Sequence, residues 1–237
     1  MTNRYVYEAR TLAGPRTSVT NRQVVRDFGK SMFFNSTDYV DTPVIPSATA
    51  WSFAFWIKFL PDAAWDKIIG CNGTSSVGGF HLQNTVANKP TLNLSVFEDG
   101  TERYGTAFPV KAGEWMHIVG TYATGTKASI YVNGVLKFQT TAAVVMTVPD
   151  KAITLMATPF HNGNTTGYMD EFVFDNGVTW DQATIENLYY RGMIPSTADC
   201  VYNFNDQVLD QTANGNNGTN SNGTYSTDVK MVARRVV

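Results

Sequence analysis

The sequence predicts an all-β antiparallel sandwich, and three observations carry that expectation. Thr, Val, Ile, Phe, Tyr and Trp supply 92 of 237 residues, against only 9 Leu. Branched and aromatic side chains suit a pleated surface and lose rotamer freedom in a helix. Apolar and polar residues alternate over short runs separated by Asn-Gly and Asp-Gly steps, the pattern of hairpin-linked strands. The length is one that all-β sandwiches reach as a single unit.

The elements follow in order. Ser31-Met32-Phe33-Phe34 reads as a short strand ended by Asn35-Ser36-Thr37. In residues 51–60, Phe53, Phe55, Ile57 and Phe59 point one way and Ser52, Ala54, Trp56 and Lys58 the other, so a central strand covered on both sides is expected. Thr91–Phe97 is a half-buried strand that Asp99-Gly100 turns back into Thr101–Tyr104. Trp115–Tyr122 and Lys127–Val132 are strands, and Asn133-Gly134 supplies the positive φ angles of a two-residue turn into Val135–Phe138. One helix of about three turns is expected, with Thr179 and Gln182 as a capping box, Ile185, Leu188 and Tyr189 at helical spacing, and Gly192 as its end. Cys200–Phe204 is a last strand before a polar Asn/Gly loop over residues 214–223. The expected organisation is a basic extended arm (1–30), a sandwich (31–210), and a polar loop with a C-terminal arm or strand (211–237).

Charge is uneven. Residues 1–30 carry Arg4, Arg10, Arg16, Arg22, Arg26 and Lys30 against Glu8 and Asp27, a net of +4 on an overall −2. The tail adds Arg234 and Arg235. A nucleic-acid tail packs Lys and Arg more densely and without acids, so nucleic acid is not the expected partner. Arms that add strands to an open sheet edge of a neighbouring copy fit better, with Arg meeting carboxylates there. No apolar run approaches the ~18 residues of a spanning helix, and Met1–Glu8 lacks the charged and apolar regions of a secretory signal. Cys71 and Cys200 are read as reduced thiols rather than a disulfide framework.

Five clusters, taken in order, resemble the laminin-G-like (concanavalin A-like) family. Ser31–Val40 is similar to its opening strand pair, and Phe53-Ala54-Phe55-Trp56-Ile57-Lys58 to its second core strand. Glu114–Tyr122 resembles its Trp-x-His strand, and Ile130–Val135 its Asn/Asp-Gly hairpin. Gly167–Phe174 with the following helix resembles its closing strand and helix. The resemblance covers about residues 31–192 and implies a concanavalin A-like jelly roll. In this chain Val201–Thr219, which looks like the lead-in strand and loop of such domains, follows the domain instead. It would complete the sheet as a permuted last strand, or add a strand to a neighbour.

The resemblance also implies calcium (Ca2+) between sheet edges and loops. The matching positions here are Asn35, Asp38 and Asp170, with the usual doubled acid reduced to a lone Asp38. For catalysis, retaining glycoside hydrolysis needs two carboxyls roughly 5–5.5 Å apart facing one cleft. The nearest run, Asp170-Glu171-Phe172-Val173-Phe174-Asp175, puts its adjacent acids on opposite strand faces, so no enzyme is expected. Sugar faces stack on aromatic rings, and Trp65, on a loop, is the first candidate for that role, followed by Tyr104 and His161. The functional expectation is a non-catalytic module serving as a surface component of a viral or phage particle, a homo-oligomer joined by its arms and open to glycan or receptor binding. A lectin-like protein outside any virion is the alternative, and a glycoside hydrolase comes last.

Overall fold

The computed structural model describes residues 29–60, 65–72, 78–87 and 89–230, together with the backbone of two short strands, Gln23–Val25 and Ala233–Arg235. Two antiparallel sheets face each other. The first runs Val135–Gln139, Ser129–Val132, Trp115–Ala123, Ala50–Phe59, Gly167–Asn176, Ser31–Phe34, Thr224–Ser226, with Cys200–Tyr202 also paired to Gly167–Asn176. The second runs Thr219–Ser221, Tyr39–Asp41, Thr154–Leu155, Lys67–Gly70, Gly79–Val86, Lys89–Glu98, Thr101–Arg103, with Phe108–Pro109 also paired to Lys89–Glu98. This is the sandwich that the alternation predicts.

The core lies between the sheets because side chains alternate along each strand. Phe53, Phe55, Ile57 and Phe59 are all fully buried on the inner face, beside Met116, Ile118, Met169 and Phe174. The second sheet answers with Phe80, Leu82, Leu92, Leu94 and Val96. Each such side chain contributes about 1.5–3 kcal/mol when removed from water. Trp51 stacks on Phe80 with ring centroids 4.1 Å apart, so aromatic faces join the two layers. The outer residues Ala54, Val119 and Val173 are covered in turn by Trp180, Ile185 and Leu188 of the helical segment.

Both two-residue turns are as expected. Asp99 and Gly100 (φ 47° and 76°) and Asn133 and Gly134 (φ 51° and 79°) take the left-handed angles of tight hairpins. The helix differs in its start. Its N-cap is Asp181, whose carboxylate accepts from the Thr184 N–H at 2.8 Å. Thr179 instead donates its hydroxyl to the Tyr122 carbonyl. After Gln182–Glu186 the helix widens into a π-helical turn, Asn187–Arg191, which ends at left-handed Gly192.

The C-terminal segment stays with its own chain. Cys200–Tyr202 completes the first sheet, Thr219–Ser221 closes the edge of the second beside Tyr39–Asp41, and Thr224–Ser226 closes the edge of the first beside Ser31–Phe34. The strand expected to reach Phe204 stops at Tyr202, since Phe204 and Asp206 have φ of 50° and 65°. The backbones of Gln23–Val25 and Ala233–Arg235 pair with each other.

Candidate functional site

The outer face of the second sheet carries side chains that a solvated or apolar face would not. Its strands turn Phe80, Leu82, Leu92, Leu94 and Val96 inward, so His81, Gln83, Asn93, Ser95 and Phe97 must point outward. Register sets them in rows: His81 opposite Ser95, Gln83 opposite Asn93, and Phe97 opposite Glu102 on the hairpin strand. Lys67 pairs across from Gln83 on the other side. Yet these polar groups are largely withdrawn from water, with His81 at 5% exposure and Gln83 at 3%.

Their hydrogen bonds are only partly filled. His81 Nδ1 lies 3.1 Å from Asn72 Oδ1, and Lys67 Nζ donates to Gln83 Oε1. Asn93 Nδ2 donates to the Gly105 carbonyl at 3.2 Å. His81 Nε2, 3.6 Å from Glu102, and Asn93 Oδ1 have no hydrogen-bond partner. A buried polar atom left without a partner costs roughly 1–3 kcal/mol, so such atoms mark a place where water or a ligand completes the set. Burial pushes the His81 imidazole below its ordinary pKa, although Glu102 pulls the other way. The nearby imidazole in turn holds the Glu102 carboxyl below the usual carboxylate value. Desolvation lowers Lys67 to about 8. The face therefore presents a neutral imidazole and two amides between one cation and one carboxylate.

Aromatic rings flank this strip. Trp65 continues the ladder beyond Lys67, its N–H donating to the Asn84 carbonyl at 2.7 Å, and its side chain is 59% exposed. Tyr104, 53% exposed, follows Arg103, which pairs with Val96, and so comes opposite Ser95 in that register. It helps line a shallow hollow of about 410 Å³ with Glu102, Arg103, Gly105, Thr106 and Thr141. His161, the third candidate for sugar stacking, lies elsewhere. Its ring stacks on Tyr39 at 3.8 Å and its Nε2 sits 3.0 Å from Asp41 Oδ2, so one face and one nitrogen are taken.

The calcium candidates separate into two places. Asn35 and Asp38 share one turn: Asp38 Oδ2 accepts the Asn35 N–H, and Asn35 Oδ1 accepts from the N–H and hydroxyl of Thr37. Gly167 pairs with Phe34, so Asn35 falls opposite Thr166 and Asp170 lies four positions, about 13 Å, along the sheet. Asp170 is fully buried and bonded to Lys230 Nζ at 3.1 Å. The three side chains do not fit one calcium ion, which needs six to eight converging oxygens. Among the described residues, no three His, Cys, Asp or Glu side chains gather as a metal site.

The acids of the closing strand also differ from expectation. A bulge between Asp170 and Val173, with Glu171 at φ 48°, inserts one residue and turns both carboxylates toward Lys230. They are not on opposite faces, because a bulge breaks the two-residue alternation. Asp175 is held by the indole N–H of Trp180 and the hydroxyl of Thr197. Of the arm residues, Arg4, Arg10, Arg16, Arg22 and Arg26, and the side chains of Arg234 and Arg235, lie outside the described residues. The sequence does not single out Gln83, Asn93 or Glu102, and sets His81 only among three widely spaced histidines with no catalytic motif beside them. Their signal is the alternation in Phe80-His81-Leu82-Gln83 and Leu92-Asn93-Leu94-Ser95, which fixes a polar face but does not say that it is withdrawn from water.

A laminin-G family model, described as the concanavalin A-like lectin/glucanases superfamily, matches residues 34–183. No curated protein matches the sequence. Among solved structures, a provisionally assigned carbohydrate-binding protein from Bacteroides ovatus superposes with a TM-score of 0.66 at 16% identity, over 88% of this chain and 63% of its own. The chain thus spans less than two thirds of that protein. A heptameric SAP-like pentraxin from Limulus polyphemus gives 0.54 at 14% identity, over 73% of this chain and 87% of its own. Both likenesses concern the fold.

Proposed function

We propose, for a chain that belongs to the concanavalin A-like lectin/glucanases superfamily, that it is a non-catalytic module whose second sheet binds a glycan on its outer face. The observation that carries this reading is the pair of buried atoms that make no hydrogen bond, His81 Nε2 and Asn93 Oδ1, on strands whose neighbours carry the exposed residues Trp65 and Tyr104. Sugar hydroxyls donate and accept at once, which suits an imidazole lone pair, an amide oxygen and a carboxylate in one strip. Ring faces add stacking at the rim. The acids nearest to a cleavage pair, Asp170 and Glu171, are engaged by Lys230 on the other sheet, and this supports binding without turnover. The Bacteroides protein of the same fold is named for carbohydrate binding, the same class of ligand.

The test is titration calorimetry of the full chain against a panel of soluble polysaccharides and oligosaccharides. Binding that is weakened by Asn93→Ala, with no release of reducing ends, supports the reading. A panel without a binder, binding indifferent to Asn93, or hydrolysis abolished by Glu171→Gln overturns it.

A setting on a viral or phage particle is a finer proposal, supported by the basic composition of residues 1–30. The pairing of Gln23–Val25 with Ala233–Arg235 gives each arm a partner within one chain, so assembly through them needs that pairing to exchange between copies. Mass measurement in solution decides, with a large assembly supporting the setting and a monomer at high concentration removing it.

A further inference from the structure

Lys230 is the most completely buried cation among the described residues, at 0% exposure. It comes from the segment that crosses the outer face of the first sheet, where Asp228 also takes hydrogen bonds from Lys58 Nζ at 2.6 Å and Trp115 Nε1 at 3.2 Å. Lys230 Nζ is 3.1 Å from Asp170 Oδ2, 2.9 Å from Glu171 Oε2, and 5.2 Å from the centre of the Trp56 ring. The Glu171 N–H donates to the other Asp170 oxygen, Oδ1, at 2.8 Å. An amine and a carboxyl, both fully buried, thus meet a second carboxyl that touches the amine and is partly exposed, with an N–H on the first carboxyl's oxygen.

We infer that Lys230 and Asp170 condense to an intramolecular amide, with Glu171 as the catalytic residue that relays the proton. In the reacting form the ammonium has given a proton to Asp170, leaving a neutral amine beside a neutral carboxylic acid. Lys230 Nζ attacks Asp170 Cγ, and the oxyanion that forms on Oδ1 is met by the Glu171 N–H. Glu171 accepts a proton from the nitrogen and passes it to the departing hydroxyl. One C–N bond forms, one C–O bond breaks, and one water leaves, so no oxidant or other reactant is needed. Burial favours the neutral forms of both groups, in keeping with Asp170 raised by desolvation to about 7 and Lys230 lowered. Reactants held at contact distance also supply much of the entropy that the bimolecular reaction would lose. The bond would fasten the C-terminal segment covalently to the Gly167–Asn176 strand.

Intact-mass measurement of the purified full chain tests this. The expected mass is one water below that of the sequence, with a branched peptide joining the Asp170 and Lys230 segments after proteolysis. Lys230→Arg is expected to restore the full mass, and Glu171→Gln to form the link more slowly than the wild type. A wild-type chain that keeps its full mass after long incubation at neutral pH overturns the inference. So does a water loss that persists in Lys230→Arg, as cyclisation at Asp99-Gly100 would give, or linkage in Glu171→Gln at the wild-type rate. The peptide map needs no variant, so the test stands where a substitution prevents folding.

Discussion

His81 and Glu102 face one another on the outer side of the second sheet, imidazole Nε2 to carboxylate at 3.6 Å. The imidazole resists protonation because it is buried, and nearby Lys67 adds to that resistance while Glu102 opposes it. Below the ordinary histidine value of 6.5 the unfolded chain therefore binds more protons than the folded one, and stability falls as pH falls through that window. Glu102, held below its ordinary 4.5, adds a further loss in more acid solution. The melting temperature is expected to drop between pH 7 and 5, and His81→Gln to flatten that part of the profile. An equal slope in His81→Gln would assign the loss to other groups.

The same strip sets the expected losses in ligand affinity. A hydrogen bond between uncharged partners contributes about 0.5–1.5 kcal/mol, so Asn93→Ala and Gln83→Ala are each expected to weaken a bound glycan by up to about tenfold. Trp65→Ala loses a stacking face of similar worth and, with its ring 59% exposed, leaves the melting temperature unchanged. Calorimetry beside thermal melts separates the two effects. A Trp65→Ala variant that binds normally would confine recognition to the polar strip.

Much of the sandwich was legible because its signals are local. The alternation from Phe53 to Phe59 and the Asn133-Gly134 and Asp99-Gly100 turns each follow from two or three neighbouring residues. The features that were not legible depend on distant partners. Glu171 shares a target with Asp170 only because a bulge intervenes and because Lys230 arrives from 60 residues away. His81 and Asn93 find their hydrogen-bond partners outside their own strands, at Asn72 and Gly105. Trp65 and Tyr104 were legible as exposed rings, but their place at the two margins of that strip is a consequence of register.

Gly120 shows how tightly the inner face is filled. It pairs with Phe53 across the central ladder, and a Cβ built there would lie 2.2 Å from the Phe53 ring. Neither the ring nor the backbone has room to yield, since Phe53 is stacked between Trp51, Phe55 and Phe80. Gly120→Ala is expected to destabilise the fold by about 1–3 kcal/mol, the usual cost of overpacking. Denaturant unfolding would show a lower midpoint at an unchanged slope, and an unchanged midpoint would mean that the aromatic stack is looser than its geometry.

Chelation separates the family's metal from this chain. A cation bound only to the native state raises stability by mass action. Since Asn35 and Asp38 complete their own turn while Asp170 is bonded to Lys230, excess chelator is expected to leave the melting curve in place. A fall of several degrees would show that a cation is held and that these side chains rearrange around it.

The arms provide the last expectation. Among the described residues, every strand of the two large sheets begins at or after Ser31, and the buried core begins with Met32. Within residues 1–28 the described strand pairing is with Ala233–Arg235, whose own segment is anchored just upstream by Lys230 and Asp228, while Lys30, which the deletion keeps, is held by Asn205 and Asp206. Deleting residues 1–28 is therefore expected to leave a cooperative thermal transition within a few degrees of the full chain. It would free the Ala233–Arg235 backbone, an unpaired edge that attracts other strands. If the arms join copies by exchanging this pairing, the full chain forms a large assembly and the deletion variant does not. Light scattering of both, at matched concentrations, distinguishes the cases. Equal assembly of the two would place the contact on the sandwich itself, and two monomers would leave the arms as a clasp within one chain.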